Sequence, residues 1–474
     1  MRLLAAALLA VALLTSGDSA RSEPENDVAN AVKALANDRN LKDAQIGVVV
    51  LDAETGALLG ETGAHLVMNP ASNAKLYTSA AALAILHGTH KYQTTLGGTI
   101  KSGAISGPLV LRGHADPSLK TEDLFALAQE LDARGVKKVD DVIVDQSFFD
   151  DQTTPPAFEQ KPNEWAAFRA PISAVALNGN TVTMTVRPQG SGSNALVAFD
   201  PPGFVDVDGT VKTSESGADT VGLDLSGKEH RLAARISGAV GADSKIVRYT
   251  RRVDDPQLFA GYVLVAVLKK MGIQVAGDVK LGTGKEKAPV FARHESAPLS
   301  TLLYSLGKHS DNFVAEMIFK SIASEGKLRP GKSQDAAEVV TKWIDKHELG
   351  DQGLVIKNGS GLFDSNHTTA ASVGKLLRYA WGDSSMHAEF VAQLAIGGVD
   401  GTLHTRFPND KGHRAISAKT ETLDDAIALS GYVLGPPGKH ALVFSILINH
   451  VTGKQSSARI GADKLVEALL EHQF

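Results

Sequence analysis

The chain has 474 residues, 43% of them hydrophobic and 21% charged, with a formal net charge of -5 and no cysteine. This is the composition of a soluble globular protein with material for about two to four domains, and a mild charge without a long basic run argues against nucleic acid or an anionic membrane surface as partner. The lack of cysteine excludes disulfides, a thiol nucleophile, a cysteine-ligated metal and a lipidated N-terminal cysteine, so any chemistry rests on oxygen and nitrogen.

At the N-terminus, Arg2, the apolar run Leu3–Leu14 and the small residues Thr15-Ser16-Gly17-Asp18-Ser19-Ala20 have the layout of a secretory signal. The run is short for a bilayer span, and no second stretch is long enough. The mature protein is therefore expected to be exported and soluble, with residues 1–20 removed as a signal peptide. Gln45–Leu51 and Ala57–Glu61 flank the turn Glu54-Thr55-Gly56 and predict a β-hairpin.

The hairpin leads into the stretch from Asn69 to Leu83, where Pro70 marks a tight entry and Ala80–Leu83 carry strong helix propensity. Ser72 and Lys75, three apart, share one helix face. A lysine kept neutral by burial or a second cation can take the proton that turns a serine hydroxyl into a nucleophile. The same spacing recurs at Ser305/Lys308, Ser324/Lys327 and Ser372/Lys375, so spacing alone is equally consistent with an N-cap serine and a solvated lysine.

From about Lys91 to about Arg252 the texture changes to strand-like pieces (Thr94–Ile100, Pro108–Arg112, Val139–Asp145, Thr181–Arg187, Ala195–Phe199) among Gly, Ser, Asp and Pro clusters, with one helix near Thr121–Arg134. The stretch 189–238 is richest in Gly, Ser and Asp and reads as a small nested β module. The whole region reads as scaffold or recognition, with Asp116 and Asp150 as turn residues. Helical spacing returns in Pro256–Met271 and Leu299–Leu306. Ser310-Asp311-Asn312 then opens an apolar run. It fits a helix N-cap, and it also fits a hydroxyl that relays a proton beside an amide that holds a substrate peptide group.

Further on, Asn358-Gly359-Ser360-Gly361-Leu362 and Gly397–Leu403 are glycine-rich turns. Ala426–Val433 and Ala441–Asn449 read as neighbouring strands joined through Gly435-Pro436-Pro437-Gly438. The last helix, Ala458–His472, presents the stripe Ile460, Leu465, Val466 and Leu469 to a sheet. Just before the strands stands Ala418-Lys419-Thr420-Glu421-Thr422-Leu423.

In order, Ser72-x-x-Lys75, Ser310-x-Asn312 and Lys419-Thr420-x resemble the S-x-x-K, S-x-N and K-[ST]-G set of penicillin-binding proteins and β-lactamases. Ser310 follows Ser72 by 238 residues, a separation similar to that of the D-alanyl-D-alanine carboxypeptidase/endopeptidase family of the penicillin-binding protein 4 type, which carries a large insertion between its first two motifs. The segments Leu111–Leu119, Ala170–Ala174 with Asn178, Lys308–Asn312, Gly359–Leu362 and Val399–Leu403 also resemble that family, across nearly the whole mature chain. Lys101-Ser102-Gly103 matches the third motif literally but precedes Ser310 and is a decoy.

The resemblance implies an α/β (α+β) transpeptidase/β-lactamase-like domain with an antiparallel sheet flanked by helices. This domain comprises residues 21–91 and 252–474 and is interrupted by mainly β inserted domains over 92–251. It implies that Ser72 attacks a D-Ala-D-Ala bond or a D-alanyl cross-link, with Lys75 as base, its pKa lowered by Lys419 and burial. Ser310 relays the proton, Asn312 holds the substrate amide, and Lys419 and Thr420 steady the terminal carboxylate. The backbone N–H groups of Ser72 and Thr422 form an oxyanion hole, worth roughly 3 to 4 kcal/mol per donor. Peptidoglycan stem peptides are the implied substrates and β-lactams the implied covalent inhibitors, with no metal or organic cofactor. One departure stands out: Glu421 occupies the glycine position. Residues two apart on a strand share a face, so its carboxylate is expected beside Lys419, where it can crowd the site, pair with a lysine or repel a substrate carboxylate. The alternative is a catalytically silent homologue that binds peptidoglycan or a cell-wall enzyme.

Overall fold

The computed structural model describes residues 23–215, 217, 219–408 and 414–474; the expected secretory segment lies outside them. A six-stranded antiparallel sheet carries the first core. Its strand order is Ala395–Ile396, Ile416–Thr422, Ala426–Val433, Leu442–Asn449, Gln45–Asp52 and Leu58–Thr62. Every residue of Ala426–Val433 and Leu442–Asn449 is buried, which requires cover on both faces.

On one face, helices Glu23–Ala36 and Gln455–Gln473 bring Val28, Val32, Leu465, Val466 and Leu469 against Val48, Val50, Phe444, Ile446 and Ile448. The stripe of the last helix runs through Ala458, Ala462, Leu465, Val466 and Leu469; Ile460, expected in it, points outward and is 52% exposed. On the other face lie Ala74–Leu86, Leu299–Lys308, Asn312–Glu325, Ser333–Lys346 and Ala370–Gly382, joined in one core by Leu76, Tyr77, Leu303, Phe319, Ile344 and Leu377.

Between Gln93 and Glu295 the chain builds a second, seven-stranded sheet that mixes antiparallel and parallel pairs. Helices Thr121–Ala133 and Phe259–Lys270 pack against it through Leu124, Leu127, Phe259, Val263 and Val267. The strands Val279–Leu281 and Val290–Glu295 belong to this sheet, so the chain leaves it well after Arg252. Three small sheets over 181–252 share a separate core of Met184, Val186, Val211, Ile236 and Val240. The literal Lys101-Ser102-Gly103 motif is the turn between strands Gln93–Lys101 and Ala104–Gly113.

The second layer grips the helix Asn312–Glu325. Lys320 of that helix is 1% exposed and pairs with the Asp150 carboxylate, also donating to the Gln152 carbonyl at 2.8 Å. Ser324 donates to the Phe148 carbonyl at 3.0 Å, and Tyr92 and Ser321 hydroxyls meet at 2.8 Å. Asp150 is thus more than a turn residue. Asp116 does hold a turn, accepting from the Ser118 amide and hydroxyl at 2.8 and 2.7 Å. Among the described residues no helix is long and apolar enough to cross a membrane.

Candidate active site

Ser72 sits in a 3-10 turn, Ala71–Asn73, that runs straight into the helix Ala74–Leu86. Residues 74–83 are all buried, which explains the small side chains Ala80, Ala81 and Ala82: the helix is enclosed and has no wet face. Its start is pinned to the sheet, since the Asn73 amide donates to the Ser430 hydroxyl at 2.6 Å and the Asn69 amide N–H to Asn449 Oδ1 at 2.8 Å. Lys75 is fully buried, and its Nζ donates to Ser72 Oγ, Asn312 Oδ1 and the Ser360 carbonyl, each at 2.7 Å.

The N-cap expected of Ser310-Asp311-Asn312 falls on its middle residue. Asp311 is the N-cap of helix Asn312–Glu325, accepting from the Val314 amide at 3.1 Å. Ser310, at φ 56°, lies in the left-handed region that non-glycine residues rarely adopt, a strain often found at functional positions. That conformation brings its Oγ to donate to Ser72 Oγ at 3.1 Å. Asn312 meets Lys75 with its oxygen and donates from Nδ2 to the Phe168 carbonyl at 3.1 Å. A cleft of about 480 Å³ opens beside Ser310 and Asn312, lined from the opposite side by Pro117, Phe168 and Asn178.

The strand Ile416–Thr422 delivers Lys419, fully buried, whose Nζ donates to Ser310 Oγ at 2.8 Å and to the Thr420 carbonyl at 2.7 Å. Thr420 donates its hydroxyl to Thr402 Oγ1 at 2.7 Å. Five expected residues are therefore joined directly: Lys75, Ser72, Ser310, Lys419 and Asn312. Thr420 lies one residue along the strand, and Thr422 is met through its amide, below. The three rival S-x-x-K pairs serve other ends. Lys308 pairs with Asp400 at 2.8 Å, Ser324 bonds the Phe148 carbonyl and Ser372 donates to the Leu349 carbonyl at 2.8 Å.

A loop and a carboxylate that the motifs do not announce complete the floor. Glu316 is fully buried and accepts the Gly359 and Ser360 amides at 3.1 and 2.8 Å, fixing the peptide whose Ser360 carbonyl receives Lys75. Gly361 has φ +75°, and a Cβ there would stand 1.8 Å from the Ala71 carbonyl oxygen, so only glycine lets the loop lie this close to the nucleophile turn. The one sequence signal for Glu316 is a charge inside the apolar run Phe313–Ile318. Ser360 and Thr402 lie in the family-like segments Gly359–Leu362 and Val399–Leu403, but the sequence does not say that the Ser360 carbonyl meets Lys75 or that Thr402 meets Thr420.

Burial is the dominant electrostatic fact. It lowers Lys75 to about 8, although Glu421, Glu316 and Asp311 pull the other way. At Lys419 burial combines with the Lys75 charge, against Glu421, to give about 7. Burial is thus the largest cause of lowering at both lysines, and repulsion between the two ammonium groups, which is mutual, adds to it. Burial also pushes Glu316 up, against the Ser360 and Gly359 hydrogen bonds and Lys75.

Glu421 faces the same side as Lys419, as strand alternation requires. Its Oε1 accepts the Thr422 amide at 2.8 Å, and the Ser72 hydroxyl is among the groups that hold its carboxyl down. The direct partners of both lysines are hydroxyls, carbonyls and an amide oxygen. Burial works to raise Glu421, but Lys419, Lys75 and these hydrogen bonds outweigh it and hold the carboxyl below its ordinary value. Among the described residues, Asp52, Glu54 and His440 have potential metal-ligating atoms within 4.8 Å of one another. They stand at the hairpin turn, apart from this circuit, and His440 Nδ1 meets Asp52 at 2.9 Å as an exposed ion pair.

A serine hydroxyl bonded to one buried lysine and linked through a second hydroxyl to another, set between a helical layer and an antiparallel sheet, is the arrangement of a serine peptidase that uses lysine in place of histidine. The chain belongs to the D-Ala-D-Ala carboxypeptidase 3 (S13) family, whose model matches residues 28–469. It is 34% identical to a D-alanyl-D-alanine carboxypeptidase of Actinomadura sp. (strain R39) over 89% of this chain and 81% of that one. Its fold is similar to the crystal structure of penicillin binding protein 4 (dacB) from Haemophilus influenzae, with a TM-score of 0.79, 22% identity and coverage of 94% of this chain and 99% of that one. A form of that protein complexed with a β-lactam aligns with a TM-score of 0.73, at 22% identity, over 94% of this chain and 100% of that one.

Proposed function

We propose that this chain is a serine-type D-Ala-D-Ala carboxypeptidase, with or without DD-endopeptidase activity, that acts on peptidoglycan stem peptides through an acyl-enzyme on Ser72. The observation that carries the reading is the unbroken path Lys75 Nζ, Ser72 Oγ, Ser310 Oγ, Lys419 Nζ, with steps of 2.7, 3.1 and 2.8 Å. Neutral Lys75 takes the Ser72 proton as Oγ attacks the penultimate D-Ala carbonyl. The C–N bond breaks, and Ser310 passes a proton to the departing amine. Water then hydrolyses the ester. Asn312 steadies the substrate amide, Lys419 and Thr420 the terminal carboxylate, and the Ser72 and Thr422 amides the oxyanion.

The same reading makes β-lactams covalent inhibitors and places the mature protein outside the cytoplasm after removal of its N-terminal signal. We also assign the catalytic domain to residues from about the first described helix to about Lys91 and from Leu299 onward, with Gln93–Glu295 as the insertion, because that stretch carries the second sheet and its core, while its Phe148, Phe149 and Ile172 dock into the core of the catalytic domain.

The test is D-Ala release from a peptide ending in D-Ala-D-Ala, followed against pH. With Lys75 near 8 and Lys419 near 7, the pair titrates as a unit. At pH below both values each lysine is an ammonium and Ser72 has no base, so kcat/KM is low. The expected result is a kcat/KM that climbs as pH rises through about 7 to 8. A flat profile across that interval contradicts a lysine base.

A further inference from the structure

The glycine position of the third motif holds a carboxylate in this chain, and that carboxylate is engaged with a backbone group the reaction needs. Glu421 Oε1 accepts the Thr422 amide at 2.8 Å, the donor assigned to the substrate's acyl oxygen. The Ser72 hydroxyl also helps to hold the carboxyl below its ordinary value. Lys75 Nζ and Ser310 Oγ both donate to Ser72 Oγ. The Thr422 amide is thus already satisfied at rest, by a planar O–C–O group where an acyl oxygen would bind.

We propose that Glu421 is a specificity-determining residue that occupies the oxyanion position of the resting enzyme, so that every acyl donor must expel its carboxylate before Ser72 can attack. The proposal rests on the assignment of Ser72 as nucleophile and of the Thr422 amide as oxyanion donor. Expulsion separates the carboxylate from the field of Lys419 and Lys75, and the free energy for it comes from contacts remote from the reacting carbonyl. Extended stem peptides make such contacts and compact β-lactams make few, so Glu421 favours the former. It forms no covalent bond. Two neighbouring cations keep it ionised, which makes it a weak acceptor for the serine proton.

The experiment compares acylation by benzylpenicillin with D-Ala release from an extended peptide in the parent, Glu421→Gly, Glu421→Gln and Ser72→Ala. Glu421→Gly is expected to raise the second-order rate constant for penicillin by about 10-fold to 100-fold, within what one oxyanion donor is worth, and peptide turnover by less. Glu421→Gln keeps the shape without the charge and should fall between. The acid limb of acylation should also move to lower pH in Glu421→Gly. Of the groups facing Lys75, which are Lys419, Glu316, Asp311 and Glu421, the variant removes one carboxylate that favours the ammonium; relief of packing alone leaves the limb in place. Folded Glu421→Gly and Glu421→Gln proteins that acylate at Ser72 no faster than the parent overturn the proposal while leaving the nucleophile assignment intact. Absence of Ser72-dependent acylation in the parent and both variants overturns the two together.

Discussion

Lys75→Met should fold and should lose acylation and D-Ala release by about 10⁴-fold, the upper range for removal of a general base. The ammonium is buried completely and is held by three acceptors at 2.7 Å. A methionine fills similar volume without the desolvation cost of a charge, so thermal stability should be kept or increased. Lys75→Arg should not rescue the rate, because a guanidinium stays charged and cannot accept the Ser72 proton. Rates from rapid-mixing acylation and melting curves check both halves. A loss of less than tenfold would move the base elsewhere, and Glu421 would be the first residue to examine.

Asp150→Ala should cost about 3–5 kcal/mol, the usual penalty for stranding one member of a buried ion pair. Lys320 is left with the Gln152 carbonyl at 2.8 Å and the Phe149 ring 5.0 Å from its Nζ, in a position where burial already lowers its pKa. The melting temperature should fall by several degrees. Lys320→Met combined with Asp150→Ala should recover most of the loss, since the pair then leaves together. Activity should fall with the single change as well, because this contact ties the inserted layer to the helix that begins at Asn312. Melting temperatures that are equal in parent and single variant would remove the pair from the account.

How much of this was legible beforehand depends on how local each feature is. Ser72 and Lys75 are three residues apart on one helix, and Ser310 and Asn312 flank a helix cap, so spacing places them correctly on their elements. Their ordered recurrence with Lys419 separates them from Ser305/Lys308, which one turn of helix cannot do. The strands from Ala426 to Asn449 and the hairpin from Gln45 were likewise readable, since turn residues bound them. What long-range packing decides was not. Apolar residues at helical spacing in Phe259–Lys270 establish that this helix is buried, but not that it is buried against the inserted sheet, so the return to the first core at Leu299 was invisible. Ile460 continues an apolar spacing yet faces outward, because the last helix uses Ala458 and Ala462 for its close approach. The Ser360 carbonyl carries no side-chain signature, and Thr402 meets Thr420 only after the sheet has formed. Glu421 was visible as a departure. Its direction, toward the Thr422 amide rather than into a direct lysine pair, follows from the strand's placement against the nucleophile turn.

The most direct test of the central claim is intact mass after exposure to benzylpenicillin, run on the mature parent, Glu421→Gly and Ser72→Ala, with peptide mapping of any adduct. The account predicts a gain of one penicillin on Ser72 in the parent, faster gain in Glu421→Gly and none in Ser72→Ala. An adduct that persists in Ser72→Ala or maps to another residue, or folded parent and Glu421→Gly proteins that both stay unmodified, would contradict it.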